Sequence, residues 1–371
     1  MTEKRQPAGP RKAPDGTWGF VVSLPKDATG KRHQARRRGF GTRREAQEAF
    51  AELKASRVAP TKLTTAVYLE RWLAGRADLR PGTMDRYARD LRVHVVPAIG
   101  HVPIQKLEPS HLDALYATMR TTVKARTVRH THAVLRKALA DGVRRHELAR
   151  NVGDDATPPT SKESRAQATA HWRQDELAAF LAATAAHEHG VLFRTAAMTG
   201  LRRGELGALH WRDLDLDTGK LSVKQGLVQV AGEWTFAEPK TERARRTIGV
   251  DPATVATLRR HRVATLERRM ALAEGWRDLD LVFPAVDGAP PDLDAWGRSF
   301  ARAVRDAGLP RISFHGLRHT HATLALGHMD VSTLSARLGH ATAGFTLNVY
   351  GHPRNDADAV AGLAAAVDGE Q

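Results

Sequence analysis

The sequence predicts a multidomain α+β chain. It would have a small N-terminal β-sheet plus helix domain, a helical-bundle domain, and a mainly α C-terminal domain with a small β-hairpin sheet. Three observations predict this. Residues 18–40 read as two strands around a turn. Residues 63–145 carry four runs of apolar residues at helical spacing, separated by Pro and Gly. A stretch of Pro, Ser, Thr, Asp and Gly at 151–164 then leads into a longer helical body interrupted by strand-like segments near 221–248. At 371 residues the chain is long enough for two or three cores.

Residues 1–60 hold fourteen Lys and Arg against six acids, half of the formal net charge of +16. Trp18-Gly19-Phe20-Val21-Val22-Ser23-Leu24 reads as a strand, 25–30 as a turn and 31–40 as a basic return strand bearing Arg36, Arg37 and Arg38. Thr42-Arg43-Arg44-Glu45 has the form of a capping box, opening a helix with Ala46, Ala49, Phe50 and Leu53 on its apolar side. A small sheet with an arginine-rich strand suits a β-ribbon reader of a DNA groove. The other reading is a solvated basic face on a small fold.

Residues 61–152 are expected as a bundle, with helices over 63–74, 83–95, 110–120 and 125–145. Its expected core is Val67, Leu69, Trp72, Tyr87, Leu91, Leu112, Leu115, Leu135 and Leu139. Arg86, Arg89 and Arg129 stand on the polar faces with Arg92, Lys124, Arg126 and Lys137; they suit phosphate contacts if they line one side and are ordinary surface charge otherwise. Residues 153–164 have almost nothing to bury and read as a linker between closing domains.

The last domain, 165–371, opens with an amphipathic helix over 175–185 and a buried run at 191–198 that enters Thr199-Gly200-Leu201-Arg202-Arg203-Gly204-Glu205-Leu206. Strands at 221–224, 226–230 and 234–236 precede Pro239-Lys240-Thr241, and helices are expected over 267–276 and 292–306. His315 and Arg318 lie three residues apart among helix formers, so they project from one face and reach the same anion. Leu338-Gly339-His340 brings a second imidazole after a helix stop, and Tyr350 follows ten residues later, before Gly351-His352-Pro353.

This collection fits attack on a phosphodiester. A free phenol has a pKa near 10, so about one in a thousand is ionised at neutral pH, and attack on phosphorus needs help. Two guanidiniums on the non-bridging oxygens would stabilise the charge that builds in the transition state. Arg202 is the natural partner of Arg318 in that clamp.

With these residues in place, roughly 60–365 of the chain resembles the tyrosine recombinases of the phage integrase family. The family pattern is an Arg in a GLR-x-G/S-E box, a Lys on a hairpin, His-x-x-Arg, Leu-Gly-His, and a nucleophilic Tyr about ten residues on. Every part can be read here, as Arg202, Lys240, His315, Arg318, His340 and Tyr350. The resemblance implies Tyr350 as nucleophile, Lys240 at a hairpin tip as proton donor to the leaving 5′ oxygen, and a 3′-phosphotyrosyl intermediate. Lys220 and Lys224 are the rival lysines. Glu205 either orients Arg202 or makes a structural salt bridge, Arg203 faces the surface or the DNA backbone, and His319 and His321 either pack or support the catalytic residues from behind. The resemblance also implies an arm-site-binding domain at 1–60, a core-site-binding bundle at 61–152, a catalytic domain at 165–371, and a homotetramer on double-stranded DNA, with accessory excision or DNA-bending proteins as possible partners. A short helix within 357–367 would dock on its own or a neighbour's catalytic domain. The expected activity is integration or excision of a prophage or integrative element. The alternatives are a type IB topoisomerase-like nicking-closing enzyme and a catalytically silent DNA-binding regulator.

Composition narrows the partners. A pI near 10.6 points to a polyanion, and nucleic acid comes first. A membrane surface competes poorly, since the sequence has neither a long apolar run nor an anchor motif. The basic N-terminus lacks the apolar centre of a signal peptide, so the expected compartment is the cytoplasm. Zero cysteines exclude disulfides and thiolate metal sites, and no HExxH-like pair occurs, so no cofactor or metal is expected.

Overall fold

The computed structural model describes residues 9–24, 33–56, 61–164, 170–230, 232–238, 244–339 and 344, with backbone alone at 24, 33 and 52–56. The chain divides into two compact units, Met1–Ala166 and Gln167–Gln371.

In the first unit β1 (Arg11–Lys12), β2 (Trp18–Leu24) and β3 (His33–Phe40) form an antiparallel sheet in that order. Helix α1 (Arg43–Ser56) starts at the expected capping box: Glu45 accepts from the Gly41 and Thr42 N–H groups, and Thr42 Oγ1 accepts from Glu45 N. Phe20, Val22, Ala35 and Ala46 are buried between sheet and helix, and Phe50 stands edge-on to Phe20. That packing leaves Arg36, Arg37 and Arg38 all exposed.

The bundle comprises α2 (Thr65–Ala74), α3 (Pro81–Asp90), a π-helical turn (Leu91–Val95), α4 (Val96–Ile99), α5 (Pro109–Thr122) and α6 (Ala125–Arg144). Its core holds Leu69, Trp72, Leu91, Leu112, Leu115, Leu135 and Leu139, with Tyr87 partly buried against it. Val67 is a correction: it is 42% exposed, and Tyr68 turns inward instead, its hydroxyl donating to Ala138 O at 2.7 Å. Beneath this core Asp141 accepts from Trp72 Nε1 at 2.9 Å and from Arg76 Nη1 at 2.7 Å. Residues 151–164, read from composition as a linker, lie along the bundle. Val152 is buried in its core, Thr157 N donates to Asp113, and Arg129 donates to Pro159 O. Short polar side chains can anchor a segment through backbone hydrogen bonds, which composition alone does not register.

In the second unit α7 (Gln174–Ala183) and α8 (Gly190–Thr199) lead to the short α9 (Arg203–Gly207). Strands β4 (Leu214–Asp215), β5 (Lys220–Val223), β6 (Gly226–Val230), β7 (Glu233–Ala237) and β8 (Arg246–Gly249) follow. They make two separate sheets, β4-β5-β8 and β6-β7. Strands β6 and β7 pair antiparallel as the small hairpin sheet expected, while β8 pairs with β5, aligning Ile248 with Leu221, both buried; the hairpin tip expected at Lys240 lies outside the described residues. Helix α10 (Pro252–Leu272) is also longer and earlier than the expected 267–276. Asp251 caps it, with Pro252 in its first turn. Then come α11 (Leu293–Asp306), α12 (Phe314–Ala325) and α13 (Val331–Leu338). Trp172, Phe180, Phe193, Phe300 and Phe314 form an aromatic centre against which α8 and α12 are packed.

Candidate active site

Helix α8 is buried along most of its length and must stop before the arginine box. Gly200 stops it at φ +65°, and a Cβ there would lie 2.6 Å from the His321 ring. The chain re-extends, so Arg202 sits as the N-cap of α9 at φ −69°, ψ 150°. Glu205, one turn on, reaches back: its Oε2 accepts from Arg202 N at 2.9 Å, and its Oε1 accepts from Arg202 Nη1 at 2.7 Å. The salt bridge weighed for Glu205 is present, at 2.7 Å.

Helix α12, capped by Ser313, carries His315 in its first turn, open to solvent on one side and crowded on the other, and Arg318 one turn further in. Arg318 is only 2% exposed. Its Nη1 donates to Gly200 O at 2.7 Å and its Nη2 to Leu338 O at 2.6 Å, while Arg202 Nη2 donates to Gly339 O at 3.4 Å. Gly339 ends α13 at φ +65°, as Gly200 ends α8. Two arginines therefore bind carbonyls at two helix ends, where unpaired C=O groups and the negative dipole end favour a cation. The arginine box, the His-x-x-Arg helix and the Leu-Gly turn meet at one place.

The electrostatics follow from this convergence. His315 is held down at about 4, first by desolvation of the ring, then by the positive charges of His319, Arg318 and Arg202. Its ring meets His319 edge-on, with centroids 5.0 Å apart. Burial alone would raise the Glu205 carboxyl. Hydrogen bonds from Arg246 and the charges of Arg246 and Arg202 more than reverse that and hold it at about 2. The site thus presents guanidiniums, a neutral imidazole and one carboxylate that is fully engaged, a combination suited to an incoming anion.

Lys240, His340 and Tyr350 lie outside the described residues. Of the rival lysines, Lys224 is paired at 2.8 Å with the buried Asp213. Arg203 is occupied within the chain, donating to Leu293 O and Asp294 at the start of α11. His321 does pack: its Nδ1 donates to Ala197 O at 2.9 Å, and its Nε2 accepts from Arg337 Nε at 3.1 Å. In the first unit Arg86, Arg89 and Arg129 are exposed; Arg89 is 3.0 Å from Asp85, and Arg129 donates to Pro159 O. Among the described residues no three His, Cys, Asp or Glu side chains gather as metal ligands would.

Sequence reasoning missed two side chains. Arg246 donates to both Glu205 oxygens and, through Nε, to Arg337 O at 2.6 Å. Arg337 donates to Met198 O at the end of α8 and to Gly249 O of β8. The signal for Arg246 was strand parity: it stands two residues before the buried Ile248 and so shares its inward face.

Comparison with known proteins places the chain among relatives. Residues 171–356 match the phage integrase family, 11–56 an arm DNA-binding domain, and 64–120 the N-terminal SAM-like domain of phage integrases. An integrase of Streptomyces ambofaciens is 27% identical over 352 residues, covering 90% of this chain and 88% of that one. The Tn1549 transposon integrase, solved in complex with transposon right-end DNA, has the same fold with a TM-score of 0.65 at 21% identity, over 80% of this chain and 98% of that one. Lambda integrase, solved as a tetramer bound to a Holliday junction, aligns with a TM-score of 0.56 at 16% identity, over 92% of this chain and 97% of that one. No described helix is long and apolar enough to cross a membrane. With half of its length matched, and with its two arginine motifs meeting at one site, the chain belongs to the phage integrase family, the tyrosine-type site-specific DNA recombinases.

Proposed function

We propose that this DNA breaking-rejoining enzyme cuts one strand at a time, with Tyr350 as nucleophile. The phenolic oxygen attacks the scissile phosphorus, the bond to the 5′ oxygen breaks, and Lys240 gives that oxygen its proton. An ammonium can donate there, whereas an arginine, never deprotonated, is a poor acid. Arg202 and Arg318 hold the non-bridging oxygens, joined by His315 and His340. His315, neutral at pH 7, can accept a proton or donate a hydrogen bond as the phenol is spent. The 5′-hydroxyl of a partner strand then reverses the reaction. One phosphoester replaces another, so the bond is conserved and the chemistry balances without ATP.

The observation that carries this reading is the pairing of Arg318 with Gly200 O and Leu338 O, beside Arg202 on Gly339 O. It joins the two clamp arginines at the Gly339 turn, the last described point before His340 and Tyr350 in the sequence. We assign 1–60 to arm-site DNA, 61–152 to core-site DNA and 165–371 to catalysis, with Arg36, Arg37, Arg38, Arg86, Arg89 and Arg129 on phosphates. Exchange between two duplexes requires four cuts, hence a homotetramer assembled on DNA in the cytoplasm, serving integration or excision of a mobile element. Accessory DNA-bending or excision proteins would act on that assembly. The test is incubation with nicked DNA carrying candidate attachment sites. A protease-sensitive, slow-migrating adduct that is lost in Tyr350→Phe is expected; an adduct that survives Tyr350→Phe would place the nucleophile elsewhere.

A further inference from the structure

Arg246 is none of the six residues of the family pattern, yet its guanidinium reaches three segments that bear them. Nη1 and Nη2 grip the Glu205 carboxylate at 3.1 and 2.9 Å, and Nε donates to Arg337 O at 2.6 Å, in the last turn of α13 before Gly339. Nη1 also donates to Ala244 O at 3.1 Å, where the segment that contains Lys240 rejoins the sheet. The Arg246 side chain is 6% exposed and that of Glu205 9%. A Cβ built on Gly339 would lie 3.0 Å from Arg246 Nη1, so the guanidinium lies directly against the Leu-Gly turn.

The hydrogen bonding is complete on the acceptor side. Each Glu205 oxygen takes one bond from Arg202 and one from Arg246. Arg202 is therefore not free to choose a rotamer: Glu205 fixes both its backbone N–H and one arm of its fork, and Arg246 fixes Glu205. For stability alone, a buried ion pair is often no better than apolar residues of equal volume. What the fork adds is geometry, because only a guanidinium spans a carboxylate and a carbonyl in one plane.

We propose that Arg246 is a positioning residue for the cleavage reaction. It sets Arg202 through Glu205, and it ties that arginine to the turn before His340 and to the foot of the Lys240 segment. The proposal rests on the role given above to Arg202. Misplacing a clamp by about 1 Å costs on the order of a hundredfold in rate, and this is the loss expected for cleavage in Arg246→Ala.

The experiment is a double-mutant cycle on the full chain. Single-turnover formation of the covalent adduct on nicked attachment-site DNA is measured for Arg202→Ala, Arg246→Ala and the double variant, with DNA affinity and Tm recorded for each. If Arg246 acts through Arg202, Arg246→Ala slows cleavage on the order of a hundredfold while DNA affinity changes little. In the Arg202→Ala background the same change then adds less than about threefold. Arg246→Lys keeps the buried charge and loses the fork, so it should fall nearly as far; it carries the comparison if Arg246→Ala does not fold. Equal fold-losses in both backgrounds, or a loss that follows Tm and disappears on cooling, would overturn the proposal. Unimpaired cleavage by Arg202→Ala would instead overturn the reading of the site itself, and this proposal with it.

Discussion

Arg318 is the residue on which the site turns, and its burial makes an unusual demand. A guanidinium at 2% exposure must be satisfied by protein, and carbonyls at the ends of α8 and α13 supply that. Lysine ends in a single ammonium and lacks the two-armed fork that reaches both carbonyls. Arg318→Lys should leave a buried carbonyl unpaired, costing about 1–3 kcal/mol of stability. It should also slow adduct formation on the order of a hundredfold, as loss of an anion-stabilising donor does. Thermal melts and single-turnover cleavage check both, and DNA affinity should hardly move. A variant with normal cleavage would remove Arg318 from the clamp. The shared face of His315 and Arg318 was legible because residues three apart on a helix project together, whereas Arg202 was singled out by its arginine box and stands at an extended N-cap. Arg246 was not, because its importance lies in Glu205 and Arg337, distant in sequence, and only the fold brings them to it.

At the scale of elements, the helix stop at Gly339 was read from the sequence, while the one at Gly200 and the strand pairing were not. Gly200 and Gly339 both adopt φ +65°, a conformation costly for other residues, and each sits just before a motif residue. The partner of β8 is decided by Leu221 and Ile248 burying together, a long-range choice that local turn chemistry cannot express. The knot joining α8, α12 and α13 carries its own pH dependence. Burial first, then the charge of Arg337, brings His321 down to about 4, and its Nε2 lone pair is needed to accept from Arg337. The unfolded imidazole titrates near 6.5. Between those values the unfolded chain binds the proton and the folded one does not, so stability is present above about 6.5 and is lost as pH falls toward 4. His321 accounts for on the order of 2–3 kcal/mol of that loss. His315, also at about 4, adds to the same slope. His321→Gln should therefore melt lower at pH 7 yet show a shallower fall in Tm between pH 6.5 and 4.5. Parallel curves for the two proteins would show that His321 does not titrate on unfolding.

The whole molecule is a strong base divided unevenly. Fourteen cationic side chains against six acids lie in the first 60 residues, half of the net charge of +16. Arg36, Arg37 and Arg38 stand exposed on a sheet whose own small core is Phe20, Val22 and Ala35. The bundle after it has a separate core around Trp72, Leu112 and Leu135, and the second unit another around Phe180, Phe193 and Phe300. Independent cores make the N-terminal segment removable without unfolding the rest. Each phosphate contact contributes about 0.9 to the slope of log K against log salt. A chain beginning at Lys62 should lose binding to arm-site DNA while still cleaving nicked core-site DNA. On DNA carrying both sites its salt slope should fall by about three, one for each exposed arginine of β3. Binding titrations from about 50 to 200 mM salt resolve a change of that size. An unchanged slope would mean that the basic strand is a solvated face and that the phosphate contacts lie in the bundle and the second unit.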